Sequence, residues 1–312
     1  MQPQVDTSSP PIIKSKSWRV WGQLTKPHTL TTAIIPVIIG TVLALEVHAS
    51  LHFLLFIAML TASLFIQIAT NLFNEYYDYK RGLDHAGSVG IGGGIVREGI
   101  RPKTIMNLAL SLYILSIVIG VYICISTSWW LGLIGLVCMA AGYLYTGGPF
   151  PIAYTPFGEL ISGLFMGMFI ILISYYIQTG NVSVYSVLIS IPVMVLVGSI
   201  NLANNMRDLD GDKENGRKTL AILIGRKKAI YLLGSMFIFS YCWTVALMLF
   251  SQLSPWMLLV LLSIPKALQA VKGFIGKTKP IQMMPAMKAT SQTNTFFGLL
   301  LAIGIVISYL FM

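Results

Sequence analysis

Residues 51–84 read LHFLLFIAMLTASLFIQIATNLFNEYYDYKRGLD. The first 24 of them, Leu51 to Asn74, contain no Asp, Glu, Lys or Arg. A bilayer core takes about 20 mostly apolar residues of helix, so the stretch is long enough to cross one. It closes on a polar phrase, NLFNEYYDYKRGLD, from Asn71 to Asp84. A second apolar stretch closes on a matching phrase, NLANNMRDLDGD, from Asn201 to Asp212. Both phrases begin Asn-Leu-x-Asn and place an Asp seven residues after the first Asn.

The rest of the chain has the same character. Of 312 residues, 55% are hydrophobic and only 10% are charged, against about 25% charged in an ordinary soluble domain. With a mean hydropathy of +0.76, this composition excludes a disordered chain and argues for one continuous membrane bundle. The net charge of +10 does not indicate a nucleic-acid partner. The basic residues fall in short clusters between apolar spans, as in membrane loops. Cys124, Cys138 and Cys242 are widely spaced in apolar segments and read as small core residues. Residues 1–27 are polar, with Lys14, Lys16, Arg19 and Lys26. They read as a cytoplasmic tail without a removable signal peptide, followed by a single transmembrane domain over 28–312.

Nine apolar spans are predicted: 28–46, 51–74, 104–125, 129–147, 157–178, 182–204, 228–250, 254–272 and 292–311. Pro36, Pro192 and Pro265 lie inside spans, which membrane helices tolerate. With the N-terminus in the cytoplasm, the cytoplasmic segments are 1–27, 75–103, 148–156, 205–227 and 273–291. All 21 Lys and Arg lie in these segments or in the helical turns beside them, and the opposite loops contain none. That asymmetry fits the positive-inside rule. Both polar phrases then lie at cytoplasmic ends of spans. Asn71, Glu75 and Asp78 share one helix face, and so do Asn201, Asn204 or Asn205, Asp208 and Asp212. Ionisable groups in membrane helices usually face a bundle interior, so the two helices read as halves of a pseudo-repeat around a shared cavity.

Glu75, Asp78, Asp84, Asp208, Asp210 and Asp212 are six of the eleven acidic residues. Grouped together they need a counter-charge, and Mg²⁺ with a phosphorylated substrate supplies one. Lys80, Arg81, Arg97, Arg101, Arg207, Lys213, Arg217 and Lys218 lie in the same two loops. Carboxylates, Mg²⁺ and cations side by side form a diphosphate site, although loop cations are also expected for topology alone. Three other motifs fail. GDKENGRKT (Gly211 to Thr219) is out of register for a P-loop, DLDGDK lacks the glycine and glutamate of a calcium loop, and GIGGGI (Gly90 to Ile95) lacks the last glycine of a dinucleotide fingerprint. The glycines between 87 and 94 read as a flexible linker or as a lid that excludes water. YTGGPFP (Tyr145 to Pro151) reads as a turn, or as a turn that also aims Tyr145 into the cavity.

These features together resemble the UbiA superfamily of membrane prenyltransferases over nearly the whole chain. Within it, NEYYDYKRGLDHAGSVGIGGGIVREG, NNMRDLDGDKENGRKTLAILIG and KPHTL are similar to the bacterial 1,4-dihydroxy-2-naphthoate prenyltransferases of menaquinone synthesis. The resemblance carries the first family motif onto Asn74, Glu75, Asp78 and Asp84, and the second onto Asp208 and Asp212. Glu75 stands where many relatives have Asp, and Lys26 where Arg is common. It implies Mg²⁺-assisted ionisation of a polyprenyl diphosphate, attack by an electron-rich aromatic acid and loss of its carboxylate, giving a demethylmenaquinone. The implied site has Asp78, Asp208, Asp212, Asn74 and Tyr145 at the chemistry. Glu75, Asp78, Asp84, Asp208 and Asp212 hold metal, and Asn71, Lys80, Arg81, Arg97, Asn204, Arg207, Lys213, Arg217 and Lys218 hold diphosphate. The implied setting is the cell membrane, with the site open to the cytoplasm. Another aromatic acceptor on the same scaffold, or a secondary transporter with polar groups at mid-span, are the competing readings.

Overall fold

The computed structural model describes residues 18–46, 51–84, 93–250 and 254–311, and among these there is helix and no strand. The helices are α1 (Trp18–Leu24), α2 (Pro27–Leu43), α3 (Phe53–Lys80), α4 (Pro102–Ser126), α5 (Trp130–Thr146) and α6 (Gly158–Ser162). A π-helical segment, Gly163–Phe169, joins α6 to α7 (Ile170–Thr179). Then come α8 (Val184–Glu214), α9 (Leu220–Ile224), α10 (Arg226–Phe250), a 3₁₀ segment (Pro255–Ser263) running into α11 (Ile264–Phe274), and α12 (Pro280–Phe311). Seven helical stretches among the described residues are long and apolar enough to cross a membrane, and Thr29–Leu43 and Trp130–Thr146 are shorter apolar helices. Each apolar span read from the sequence falls on one of these.

Burial ranks the helices. In the apolar window of α8, 67% of residues are buried, against 22% in α4, so α8 is central and α4 peripheral. α8 packs against the π segment, α10 and α12, α3 packs against α4, and α2 joins the two groups through α7 and α12. Lipid tails are as apolar as leucine, so close packing, rather than removal of apolar surface from water, holds such helices together. Small residues supply it. A Cβ on Gly167 would lie 2.6 Å from the Met194 Cα of α8, and one on Gly298 would lie 2.1 Å from Ile35 Cγ2 of α2. Pro192 lies inside α8, where it cannot donate to the Leu188 carbonyl one turn back. The Trp243 indole N–H of α10 donates to that carbonyl instead, at 2.9 Å.

Two helices run past their apolar stretches. α3 continues to Lys80 and α8 to Glu214, so both polar phrases are largely helical. Nothing in either phrase breaks the helix until a glycine takes the left-handed conformation, Gly82 at φ 74° and Gly216 at φ 77°. Both ends close as Schellman motifs. After α3, Leu83 N–H donates to Asp78 O and Gly82 N–H to Tyr79 O; after α8, Arg217 N–H donates to Asp212 O and Gly216 N–H to Lys213 O. Each phrase thus runs into the same kind of helix terminus, with Asp78 and Asp212 at the same position of the two caps, one turn out of register with the repeat that pairs Asp78 with Asp208. The tail read from the sequence is partly ordered as α1, whose Val20 and Leu24 are buried with Leu72, Phe73 and Ile95.

Candidate active site

α3 and α8 form facing walls of a cavity of about 1070 Å³, lined also by α2, α4, α5, the π segment and α7. Its polar head carries Asn71, Asn74, Glu75, Asp78, Asp84, Arg97, Asn204, Arg207, Asp208, Asp212 and Arg217. Its other arm is apolar, with Met59, Ile123, Leu131, Ile173 and Ile177 among the lining residues. From Asn74 to Met59 the arm follows α3 for 15 residues, about 22 Å at the helical rise.

Part of the head is a connected network that joins the two phrases. Lys26 Nζ donates to Asn74 Oδ1 at 2.6 Å, and Asn74 Nδ2 donates to Asp78 Oδ2 at 2.8 Å. Arg217 joins the two phrases, with Nη2 2.7 Å from Asp78 Oδ1 and Nη1 3.1 Å from Asp212 Oδ1. The Schellman cap of α8 sets this contact, because it folds Arg217 back beside Asp212. Tyr154 stacks under the guanidinium at 5.0 Å. Burial opposes the Arg217 charge, but Asp78 and Asp212 outweigh it and hold the guanidinium above its ordinary pKa. Asp84 is pushed up to about 6, first by burial and then by the Asp78 and Glu75 carboxylates.

The sequence-derived site residues divide in two. Tyr145 lines the cavity with the network above, whereas Lys80, Arg81, Lys213 and Lys218 do not line it. Lys80, Lys213 and Lys218 are exposed. Arg81 is bound to the turn after α5 through the Thr146 and Gly148 carbonyls. Glu75, expected as a metal ligand, lines the cavity and also ties down the backbone. It is 2% exposed and accepts the Gly93 and Ile95 backbone N–H groups at 2.9 and 3.2 Å, so it fastens the far end of the following loop. Gly93 is required there, since it has φ 87° and a Cβ would lie 2.3 Å from Arg97 Nε. Gly87, Gly90 and Gly92, on which the lid reading also rests, lie outside the described residues.

Sequence reasoning gave no role to Tyr154 or Glu159, named Lys26 only as a motif position, and offered Asn205 only as an alternative to Asn204 on the cavity face. Lys26 is the one non-glycine residue with positive φ among the described residues, at 48°, and such strain tends to collect at functional sites. Glu159 could have been found as an acid inside an apolar span.

Among the described residues, no three of Asp, Glu, His and Cys converge as a complete metal cage. Mg²⁺ does not require one, because it binds through one or two carboxylates plus substrate phosphates and water. Two such pairs exist, Asp78 with Asp84 and Asp208 with Asp212, all lining the head. Asp212 Oδ2 is buried with no hydrogen-bond partner among the described residues, an orphaned hard donor of the kind a cation would satisfy. The donor set therefore fits Mg²⁺. The acidic groups lie at helix ends and not at mid-helix, unlike the arrangement a transporter reading needs.

An all-helical membrane bundle with two carboxylate-bearing helix ends facing each other over an apolar arm defines the class of membrane prenyltransferases. The family model "UbiA prenyltransferase family" matches residues 33–300, and the chain belongs to that family. The 1,4-dihydroxy-2-naphthoate octaprenyltransferase of Bacillus subtilis (strain 168) is 60% identical over 296 residues, 95% of each chain. The UbiA prenyltransferase domain-containing protein 1 of Homo sapiens is 28% identical, over 91% of this chain and 82% of that one. The fold is shared with a UbiA homolog from Archaeoglobus fulgidus solved bound to DMAPP and Mg²⁺, with TM-score 0.65 at 15% identity, covering 91% of this chain and 99% of that one.

Proposed function

We infer that this protein transfers a polyprenyl group from polyprenyl diphosphate to 1,4-dihydroxy-2-naphthoate with loss of CO₂ and release of diphosphate, giving the hydroquinone form of a demethylmenaquinone. One observation carries the reading: a single cavity joins a head of carboxylates and arginines to a long apolar arm. A prenyl diphosphate has this polarity, an anionic head on a hydrocarbon tail. Burying the tail in the arm or the bilayer is favourable by about 0.8 kcal/mol per CH₂.

Asp78, Asp84, Asp208 and Asp212 would hold Mg²⁺, which when bound supplies positive charge to the departing diphosphate. Arg217, Arg207, Arg97 and Lys26 surround the same head and bind the outer phosphate oxygens as charge-assisted donors. Arg217 exchanges its two aspartate contacts for the substrate, so the anionic ligand releases a cation already held in position. Asn74 and Asn204 place amides beside the aspartates and orient them. The C–O bond of the prenyl diphosphate breaks with its electron pair on the diphosphate. The ring carbon bearing the carboxylate then bonds to the allylic carbon, and CO₂ leaves from it. The apolar arm keeps water from the cation.

In the same reading the chain crosses the cell membrane nine times, with residues 1–27 and the head of the cavity on the cytoplasmic side. This rests on the Lys/Arg asymmetry of the loops. The test is direct: membranes are incubated with Mg²⁺, a polyprenyl diphosphate and, in turn, 1,4-dihydroxy-2-naphthoate, 4-hydroxybenzoate and homogentisate. Product masses should show prenylation with decarboxylation for the naphthoate. Product from another acid alone would overturn the assignment of the acceptor.

A further inference from the structure

We propose that Glu159 is a positioning residue for the aromatic acceptor, acting through Asn205 in a subsite completed by Tyr145 and Asn201; this rests on the prenyl-transfer reading above.

The cavity has two kinds of polar wall. One is charged and carries Lys26, Arg97, Arg207 and Arg217 with the aspartates, and it suits a diphosphate. The other lies where α5, α6 and α8 meet. There the lining includes the Tyr145 phenol and the Asn201 and Asn205 amides. Tyr145 and Asn201 converge on Gly158, where a Cβ would lie 3.1 Å from both Tyr145 OH and Asn201 Nδ2. Glu159 is the next residue. It is 6% exposed, and its Oε1 accepts Asn205 Nδ2 at 2.9 Å. Its Oε2 is buried and has no hydrogen-bond partner among the described residues. Asp78, Asp208, Asp210 and Asp212 are each ion-paired with an arginine, but no such pair to Glu159 forms among the described residues.

Keeping an acid there is costly, and its effect on Asn205 gives a reason for it. Glu159 Oε1 accepts from the NH₂ end of the Asn205 amide, which leaves Oδ1, an acceptor, as the other end. A fixed carbonyl acceptor on the cavity wall selects an O–H donor, such as a ring hydroxyl. Accepting that hydrogen bond also pushes electron density into the ring, which makes its carbon a better nucleophile toward the prenyl cation. The neighbouring π segment fits the same role. Long π-helical runs are rare and collect at functional sites, and this one brings Phe165 and Met166 to the cavity lining, an apolar and aromatic face for a flat ring. The ligand of this wall is therefore a hydroxylated aromatic acid, with its hydroxyl on Asn205 and its ring against the π segment.

The experiment is steady-state kinetics on purified protein with both substrates, the acceptor, and its two mono-methyl ethers. In the unsubstituted protein one ether should lose about tenfold in kcat/KM, because it no longer donates to Asn205. Glu159→Leu should raise the acceptor KM about fivefold to tenfold, leave the prenyl diphosphate KM within about twofold, and shrink the ether penalty to under about twofold. Glu159→Gln can still accept from Asn205 through its carbonyl and should keep the acceptor KM within about threefold. If Glu159→Leu does not accumulate as folded protein, Asn205→Ala carries the same acceptor-selective expectation. An equal loss for both substrates, or an unchanged ether penalty in the variant, overturns the proposal and reduces Glu159 to a packing role. If the unsubstituted protein makes no prenylated product from any hydroxylated aromatic acid, the prenyl-transfer reading itself fails.

Discussion

Asp78 and Asp208 line opposite walls of one cavity, and the proposed chemistry uses them as hard anionic ligands. Asp78→Asn and Asp208→Asn preserve shape and remove the charge, so each should lower kcat/KM by at least about a hundredfold. Fluorescence-detected gel filtration should show both variants still folded, and near-normal activity of both at limiting Mg²⁺ would exclude the two-cluster site. Arg217 and Lys218 are adjacent in sequence, yet only Arg217 reaches the aspartates. Arg217→Gln should reduce kcat/KM for the prenyl diphosphate about tenfold to a hundredfold, since a shielded charge-assisted contact contributes about 1.5–3 kcal/mol. Lys218→Gln should change it by less than about threefold, because an exposed cation is screened by water. A larger effect at Lys218 than at Arg217, measured under the same conditions, would reverse this assignment.

The functional elements are the helix termini. Both polar phrases end in Schellman caps with an aspartate three positions inside the cap, and the cap of α8 is what returns Arg217 to Asp212. Gly216 has open space around it, but its φ of 77° is one that a β-branched residue adopts only with strain. Gly216→Val should therefore unseat Arg217. Prenyl diphosphate kcat/KM should fall roughly tenfold, with the helix content by circular dichroism unchanged within error. Full activity in that variant would show that the cap does not position the arginine.

For the whole molecule, the decisive measurements are sidedness and metal dependence. Cysteine at Asn215 should be labelled only from the cytoplasmic side and cysteine at Asn181 only from the opposite side. Ser88, in the loop after α3, should match Asn215, although it lies outside the described residues. Labelling of Asn181 and Asn215 from one side would break the nine-crossing topology. Treatment with EDTA should abolish turnover, and Mg²⁺ should restore it while Na⁺ does not. Turnover that survives chelation would remove the metal from the proposed chemistry.

Much of this was legible in the sequence because it depends on local chemistry. Apolar length makes the spans, and the spacing Asn71–Asp78 repeated as Asn201–Asp208 marks two matching helix faces. Neither of these needs a distant contact to be read. The closing glycines Gly82 and Gly216 were equally visible, although only their left-handed φ values show that both phrases end in the same cap. Tertiary structure decided which of the neighbouring cations the cavity uses. Arg217 and Lys218 are equivalent as charges in a loop, and the fold of the cap turns one to the aspartates and the other to solvent. Glu75 has the spacing of a ligand, but only the folded loop brings the Gly93 and Ile95 amides to it. Glu159 lies 46 residues from Asn205. Periodicity cannot relate residues so far apart, because their contact comes from the packing of α6 on α8.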